Sequence, residues 1–128
     1  MKIAIGKTYH LSASHQLKYL PDGHPCARLH GHNYEITVVV SGQIGDENFV
    51  IDYHQIDRIF GDKVMGWFDH QHLNDVLNSP NGGATTAELL CSILFRYAVE
   101  WFNSEAPLVA VQSITVKETG KTFATITA

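Results

Sequence analysis

At 128 residues, 45% of them hydrophobic and 17% charged, the chain is sized for one domain over residues 1–128 and has a folded rather than a disordered balance. A formal charge of −4 without a lysine or arginine cluster argues against nucleic acid or an anionic membrane as partner and leaves small molecules. No charged leader and no apolar run of bilayer-spanning length is present, so a cytoplasmic protein is expected.

Residues 2–15 read as a strand ending at His15, with Tyr9, Leu11, Ala13 and His15 on one face of a period-two pattern. The stretch "QLKYLPDGHPCARL" carries Pro21, Asp22, Gly23 and Pro25, which are turn signals, and places Cys26 in or near a loop. Residues 33–43, "NYEITVVVSGQ", predict a second strand with Tyr34, Ile36, Val38 and Val40 on one face, paired with the first as a long-looped hairpin. Asp52 can cap a helix whose apolar positions Ile56, Ile59, Phe60, Val64 and Trp67 follow helical spacing to an end near Gly66. A loop closed by Asn81, Gly82 and Gly83 leads to a second helix, capped by Thr85 or Thr86, with a stripe of Leu90, Ile93, Leu94, Tyr97 and Trp101. Cys91 falls in that helical pattern and reads as a small core residue. "VAVQSITVKET" and "KTFATITA" predict two final strands joined by a turn around Gly120.

The order is ββααββ, which predicts an α+β fold: a four-stranded antiparallel sheet with two helices on one face. Its exposed edges, and a length short for an enzyme that must enclose its substrate alone, predict an oligomer in which neighbouring sheets join into a closed β-barrel.

Histidine is the compositional outlier, with eight in the chain. His30 and His32 are two apart, so in an extended segment their imidazoles share a face, and His15 on the paired strand can complete a triangle. Three neutral imidazoles suit zinc and leave a position open for substrate or water, although unrelated surface histidines could share that spacing. Cys26 admits three readings: a fourth zinc ligand, a base or nucleophile beside the metal, or an inert loop thiol. In "WFDHQHLN", Asp69 can orient His70, but neighbours on a strand point apart; His70 and His72 repeat the ligand spacing and form a rival metal site. Glu118, at the end of the third strand, is either a solvated charge or an acceptor for paired N–H groups of a guanidine-like ring edge. His10, His24 and His54 read as surface or capping residues.

Taken in order, "SASH" with His15, "CARLHGHNY" with Cys26, His30 and His32, "FVIDY", "DHQHLN" with Asp69 and His70, "TTAELL" and "KET" with Glu118 resemble the 6-pyruvoyltetrahydropterin and 6-carboxytetrahydropterin synthase family over almost the whole chain. The resemblance implies the tunnelling fold, or T-fold, in which trimers close a twelve-stranded barrel and two trimers stack into a homohexamer. It also implies zinc on His15, His30 and His32, a proton-abstracting thiol on Cys26 and an Asp-His pair on Asp69 and His70. The resemblance further places Glu118 and Thr86 in the substrate-binding positions and implies 7,8-dihydroneopterin triphosphate as the substrate. Three residues separate Cys26 from His30, as in the carboxy-forming members of the 7-deazaguanine (queuosine) route; the pyruvoyl-forming members have a longer gap. Leu11 stands where the family usually has an aromatic residue, and Thr85 where a proline usually precedes the threonine. Two other classes remain open: a small metal-binding cupin using Glu35 as a ligand within "HGHNYE", and a non-catalytic pterin binder on the same fold.

Overall fold

A computed structural model describes all of residues 1–128. Strand β1 (Lys2–His15) and strand β2 (His30–Gln43) pair antiparallel over their full length, from Lys2 opposite Gln43 to His15 opposite His30. The second strand therefore begins three residues before the β-branched run that marks it in the sequence, because His30 to His32 continue the ladder to the end of β1. Strand β4 (Ala110–Lys117) pairs with β2, and β5 (Phe123–Thr127) pairs with β4, both antiparallel.

The sheet has five strands rather than four, in the order β3-β1-β2-β4-β5. The additional strand, β3 (Gln71–His72), is two residues long and pairs parallel with β1 at Ala13 and Ser14. Two residues are too few for an alternation to register in sequence. One face of the sheet is the core, with Tyr34, Ile36, Val38 and Val40 all fully buried, as their shared parity requires. On the opposite face Thr8 lies across from Thr37, Thr37 from Thr115 and Thr115 from Thr125, a row of exposed hydroxyls running over four strands.

The helices cover the core face. Asp52 caps helix α1 (Tyr53–Ile56) by accepting from the His54 N–H at 2.8 Å. A π-helical turn, Asp57–Gly61, then leads into α2 (Asp62–Phe68), which runs two residues past Gly66. That turn sits on β1: Asp57 accepts from Lys7 Nζ at 2.7 Å and from the Tyr9 hydroxyl at 2.7 Å. The lysine, foremost, and the tyrosine hold the Asp57 carboxyl below the usual range. A four-residue helix, α3 (Leu73–Val76), occupies a segment that reads as loop, because its anchors are the buried Leu73 and Asn74 rather than a repeated apolar stripe. Helix α4 (Ala87–Glu105) is capped by Thr86, whose side chain accepts from the Leu89 N–H at 3.2 Å. Its buried seam is Ala87, Leu90, Cys91, Leu94, Ala98 and Phe102. Tyr97 and Trp101 flank that seam, their rings 5.4 Å apart, with Tyr97 set edge-on to Trp67. No helix is long and apolar enough to cross a membrane.

A Cβ at Gly61 would lie 2.3 to 2.7 Å from atoms of the Tyr9 ring and hydroxyl. Within a helix, Gly→Ala ordinarily stabilises by about 1 kcal/mol; here overpacking against a ring that Asp57 holds in place costs about 1–3 kcal/mol and reverses the sign. Gly61→Ala is expected to lower the urea midpoint, and the same substitution with Tyr9→Ala to recover part of that loss.

Candidate metal centre and the adjoining cavity

The register of β1 on β2 sets His15 opposite His30 and Ala13 opposite His32, and all three imidazoles lie on the core-facing parity, at the end of the sheet. Their ring centroids are 4.5 Å (His15 to His30), 5.2 Å (His15 to His32) and 4.8 Å (His30 to His32) apart. Glu118, one residue beyond β4, joins them, and one ligand atom from each of the four residues falls within 4.8 Å of every other. Four nitrogen and oxygen donors at that spread form a group that could hold a metal ion.

The tautomers suit such a role. His15 Nδ1 lies 3.0 Å from the Thr85 carbonyl and His30 Nδ1 lies 2.7 Å from the Arg28 carbonyl. A carbonyl only accepts, so each Nδ1 carries the proton and each neutral ring keeps its Nε2 lone pair free. His15 Nε2 is buried and unpartnered, 3.8 Å from Glu118 Oε1. His32 Nε2 is 2.9 Å from the same oxygen, yet off hydrogen-bond geometry and likewise without an aligned partner. Buried polar atoms without partners are costly and uncommon, and these two converge on one carboxylate. The Tyr34 hydroxyl beneath them is buried and unpartnered too. Burial, chiefly, pushes the His15 pKa down to about 4, and burial also lowers that of His32. Neutral imidazoles at ordinary pH are what a divalent cation requires.

Cys26 lies on a 3-10 turn, Pro25–Ala27, half-buried, with its N–H given to His24 Nδ1 at 3.1 Å, so that His24 is indeed a cap. The turn is tied to the chain just after His15: Leu17 N donates to the Cys26 carbonyl at 2.9 Å and Gln16 Nε2 to the Ala27 carbonyl at 3.0 Å.

Asp69 and His70 meet each other, contrary to the expectation for strand neighbours, because neither is in a strand. Asp69 closes α2 in an extended conformation and His70 adopts φ 60°, which brings its Nδ1 to 3.0 Å from Asp69 Oδ2. The other carboxylate oxygen accepts the Ser12 N–H at 3.0 Å, and the His70 N–H donates to the Ser12 carbonyl at 2.7 Å. The Ser12 N–H, first, and His70 hold the Asp69 carboxyl below its usual range. The exposed His70 ring faces a cavity of about 580 Å³ that His32, Ser12, Ser14, Asn33 and His72 also line; Cys26 is not among its walls.

The rival His70 and His72 pair does not form a metal-ligand group: His70 turns to Asp69 and His72 Nδ1 to the Ser14 hydroxyl at 2.9 Å. The cupin reading fails as well. Glu35 lies on the parity opposite His32 and Tyr34, beside His10 at 3.7 Å and Lys117 at 3.9 Å, and the 19-residue α4 has no place in an all-β jelly roll. Thr86 is occupied as the α4 cap. Its neighbour Thr85, visible in sequence as a capping candidate and a departure from the family's proline, is buried against His15.

A family model described as 6-pyruvoyl tetrahydropterin synthase matches residues 4–128. A provisionally named 6-carboxy-5,6,7,8-tetrahydropterin synthase of Archaeoglobus fulgidus is 30% identical over 99 residues, 77% of this chain and 78% of that protein. The 6-carboxy-5,6,7,8-tetrahydropterin synthase of Bacillus subtilis is 32% identical over 72 residues, 56% of this chain and 46% of its own length. In fold, the chain superposes over 100% of its length on 96% of the Caenorhabditis elegans 6-pyruvoyl tetrahydropterin synthase, with a TM-score of 0.83 at 21% identity.

The depressed histidines have a consequence for stability. Unfolded His15 takes up a proton near pH 6.5, whereas the folded residue does so only near 4. Between those values the unfolded state binds more protons, so the unfolding free energy of the metal-free protein is expected to fall as pH drops from 6.5 toward 4. Urea titrations across that window check this, and His15→Gln should flatten the slope.

Proposed function

Because the chain belongs to the 6-pyruvoyl tetrahydropterin synthase family and carries its tunnelling fold, we propose that it is a zinc-dependent lyase acting on 7,8-dihydroneopterin triphosphate. The products are 6-carboxy-5,6,7,8-tetrahydropterin, acetaldehyde and triphosphate, with one water taken up to balance the atoms. The observation that carries this reading is the convergence of His15, His30, His32 and Glu118, with two buried Nε2 atoms left unpartnered. The carboxy product is favoured over the pyruvoyl one by the names of the Archaeoglobus fulgidus and Bacillus subtilis relatives and by the three-residue gap between Cys26 and His30.

His15, His30 and His32 would hold the zinc through Nε2, and the bound ion supplies Lewis acidity that makes the substrate's side-chain hydroxyls easier to deprotonate. The Cys26 thiol takes a proton from the side chain. His70, its Nδ1–H given to Asp69, presents Nε2 as the second proton-transfer group, and ionised Asp69 fixes that tautomer and stabilises the imidazolium once it forms. Glu118 accepts the paired N–H groups of the pterin ring edge, and Thr86, whose hydroxyl caps α4, is the second substrate-binding residue. Glu118 is also close enough to the histidines to help hold the ion. Cys26 stays outside the coordination shell.

One chain does not assemble all of these groups around one cavity, which fits an active site shared between subunits. The outer edge of β1 is covered only at Ala13 and Ser14, and β5 is the opposite edge of the sheet. Joining such edges between copies closes the barrel and removes unpaired backbone groups. The assembly is a homohexamer, a dimer of trimers.

Incubation with 7,8-dihydroneopterin triphosphate, followed by mass analysis, is expected to yield acetaldehyde and the carboxypterin. A pyruvoyl product would move the chain to the other branch, and binding without turnover would make it a pterin-binding protein. Cys26→Ala is expected to keep stoichiometric zinc and lose roughly 10²–10⁴-fold in rate, as removal of a general base does; loss of zinc would make the thiol a ligand.

A further inference from the structure

The three imidazoles are not held alike. His30 is oriented by a carbonyl two residues earlier, just ahead of its strand, whereas His15 is oriented from a loop 70 residues later in the chain. That loop is pressed against the end of β1. The Asn74 side chain accepts from Gln16 N at 3.1 Å and donates to the Gln16 carbonyl at 2.8 Å, and Lys18 N donates to the Asn81 carbonyl at 2.8 Å. Gly82, at φ +86°, comes so close that a Cβ there would lie 2.0 Å from the Gln16 carbonyl oxygen. Only glycine tolerates both that conformation and that approach.

The next turn delivers Thr85, which is fully buried. Its N–H and its hydroxyl both reach the Gly82 carbonyl, at 3.0 and 2.7 Å. The hydroxyl proton is thereby committed, and Oγ1 turns its lone pairs outward, 3.3 Å from His15 Nδ1. The single N–H of His15 is then shared between two acceptors of one residue, the carbonyl at 3.0 Å and the hydroxyl. One acceptor fixes a tautomer; a second also narrows the rotation of the ring.

We propose that the Thr85 hydroxyl is a positioning residue for the metal centre, holding the His15 ring so that Nε2 points at His30, His32 and Glu118. The inference rests on the metal reading of the site, but its first readout does not. Hydrogen-bond partners behind metal-ligating histidines are typically worth 10–100-fold in metal affinity. Since the carbonyl remains when the hydroxyl is removed, the effect here belongs at the lower end.

The test compares wild type, Thr85→Val and Thr85→Ser. In metal-free protein, nitrogen-15 NMR is expected to show His15 protonated at Nδ1 in all three, because the carbonyl remains, while relaxation of the imidazole carbons shows a more mobile His15 ring in Thr85→Val than in wild type and Thr85→Ser. With Co²⁺ and Zn²⁺ in competition with a chelator, Thr85→Val is expected to bind about tenfold more weakly, and Thr85→Ser within about twofold of wild type. Unchanged His15 ring mobility together with unchanged affinity in Thr85→Val would overturn the proposal and reduce the hydroxyl to a turn cap. Wild type that binds neither ion overturns the metal reading instead, and the ring-mobility measurement then decides alone whether the Thr85 hydroxyl orients His15. If Thr85→Val does not fold, Thr85→Ala serves the same comparison.

Discussion

The register of β1 against β2 is the constraint on which the site depends. With His15 opposite His30 and Ala13 opposite His32, three imidazoles share one face within two residue pairs of the hairpin's looped end. Because the side-chain period of a strand is two, a slip of one residue would send His15 to the threonine face and leave two histidines without the third. What prevents the slip is the run of Leu11, Ala13, Tyr34, Ile36, Val38 and Val40, all buried on the same parity as the histidines. The hydrophobic core thus aligns the donors as well as stabilising the sheet.

The core also sets the electrostatic character of the centre. Continuing a buried face into polar residues is costly unless each polar atom is partnered. The chain meets that cost at one side of two of the rings, giving the Nδ1 atoms of His15 and His30 to backbone carbonyls. It leaves Nε2 of His15 and His32 unpartnered, together with the Tyr34 hydroxyl. A fully satisfied set would be more stable and chemically closed, and these loose ends concentrate at one edge of an otherwise paired structure.

Much of this was legible in the residues. Period-two patterns gave both hairpins, and the turn-rich stretch around Pro21 and Pro25 placed Cys26 in a loop tied back to the end of β1. Three things were not legible, each for a physical reason. The π turn and its contact with β1 depend on Gly61 meeting Tyr9, a long-range fit that no local pattern encodes. The geometry of the Asp69–His70 pair, which the family resemblance implies but spacing does not, depends on a positive φ at a histidine. Thr85 shows in sequence as a missing proline and a helix-cap candidate, but its partner is 70 residues away. The chemistry of a strand pair can be read from parity, whereas that of a loop docked onto it cannot.

The order of these parts along the chain matters for how the protein is made. All three histidines lie within the first 32 residues, on a hairpin, while the carbonyl and hydroxyl that steady His15 arrive only with Thr85. A growing polypeptide therefore displays the imidazoles well before it displays the group that aims one of them. Between those moments neither acceptor is there to hold the His15 ring. Docking of Gly82 onto Gln16 ends that interval, so the mature centre comes into being late, as the second half of the molecule closes over the first.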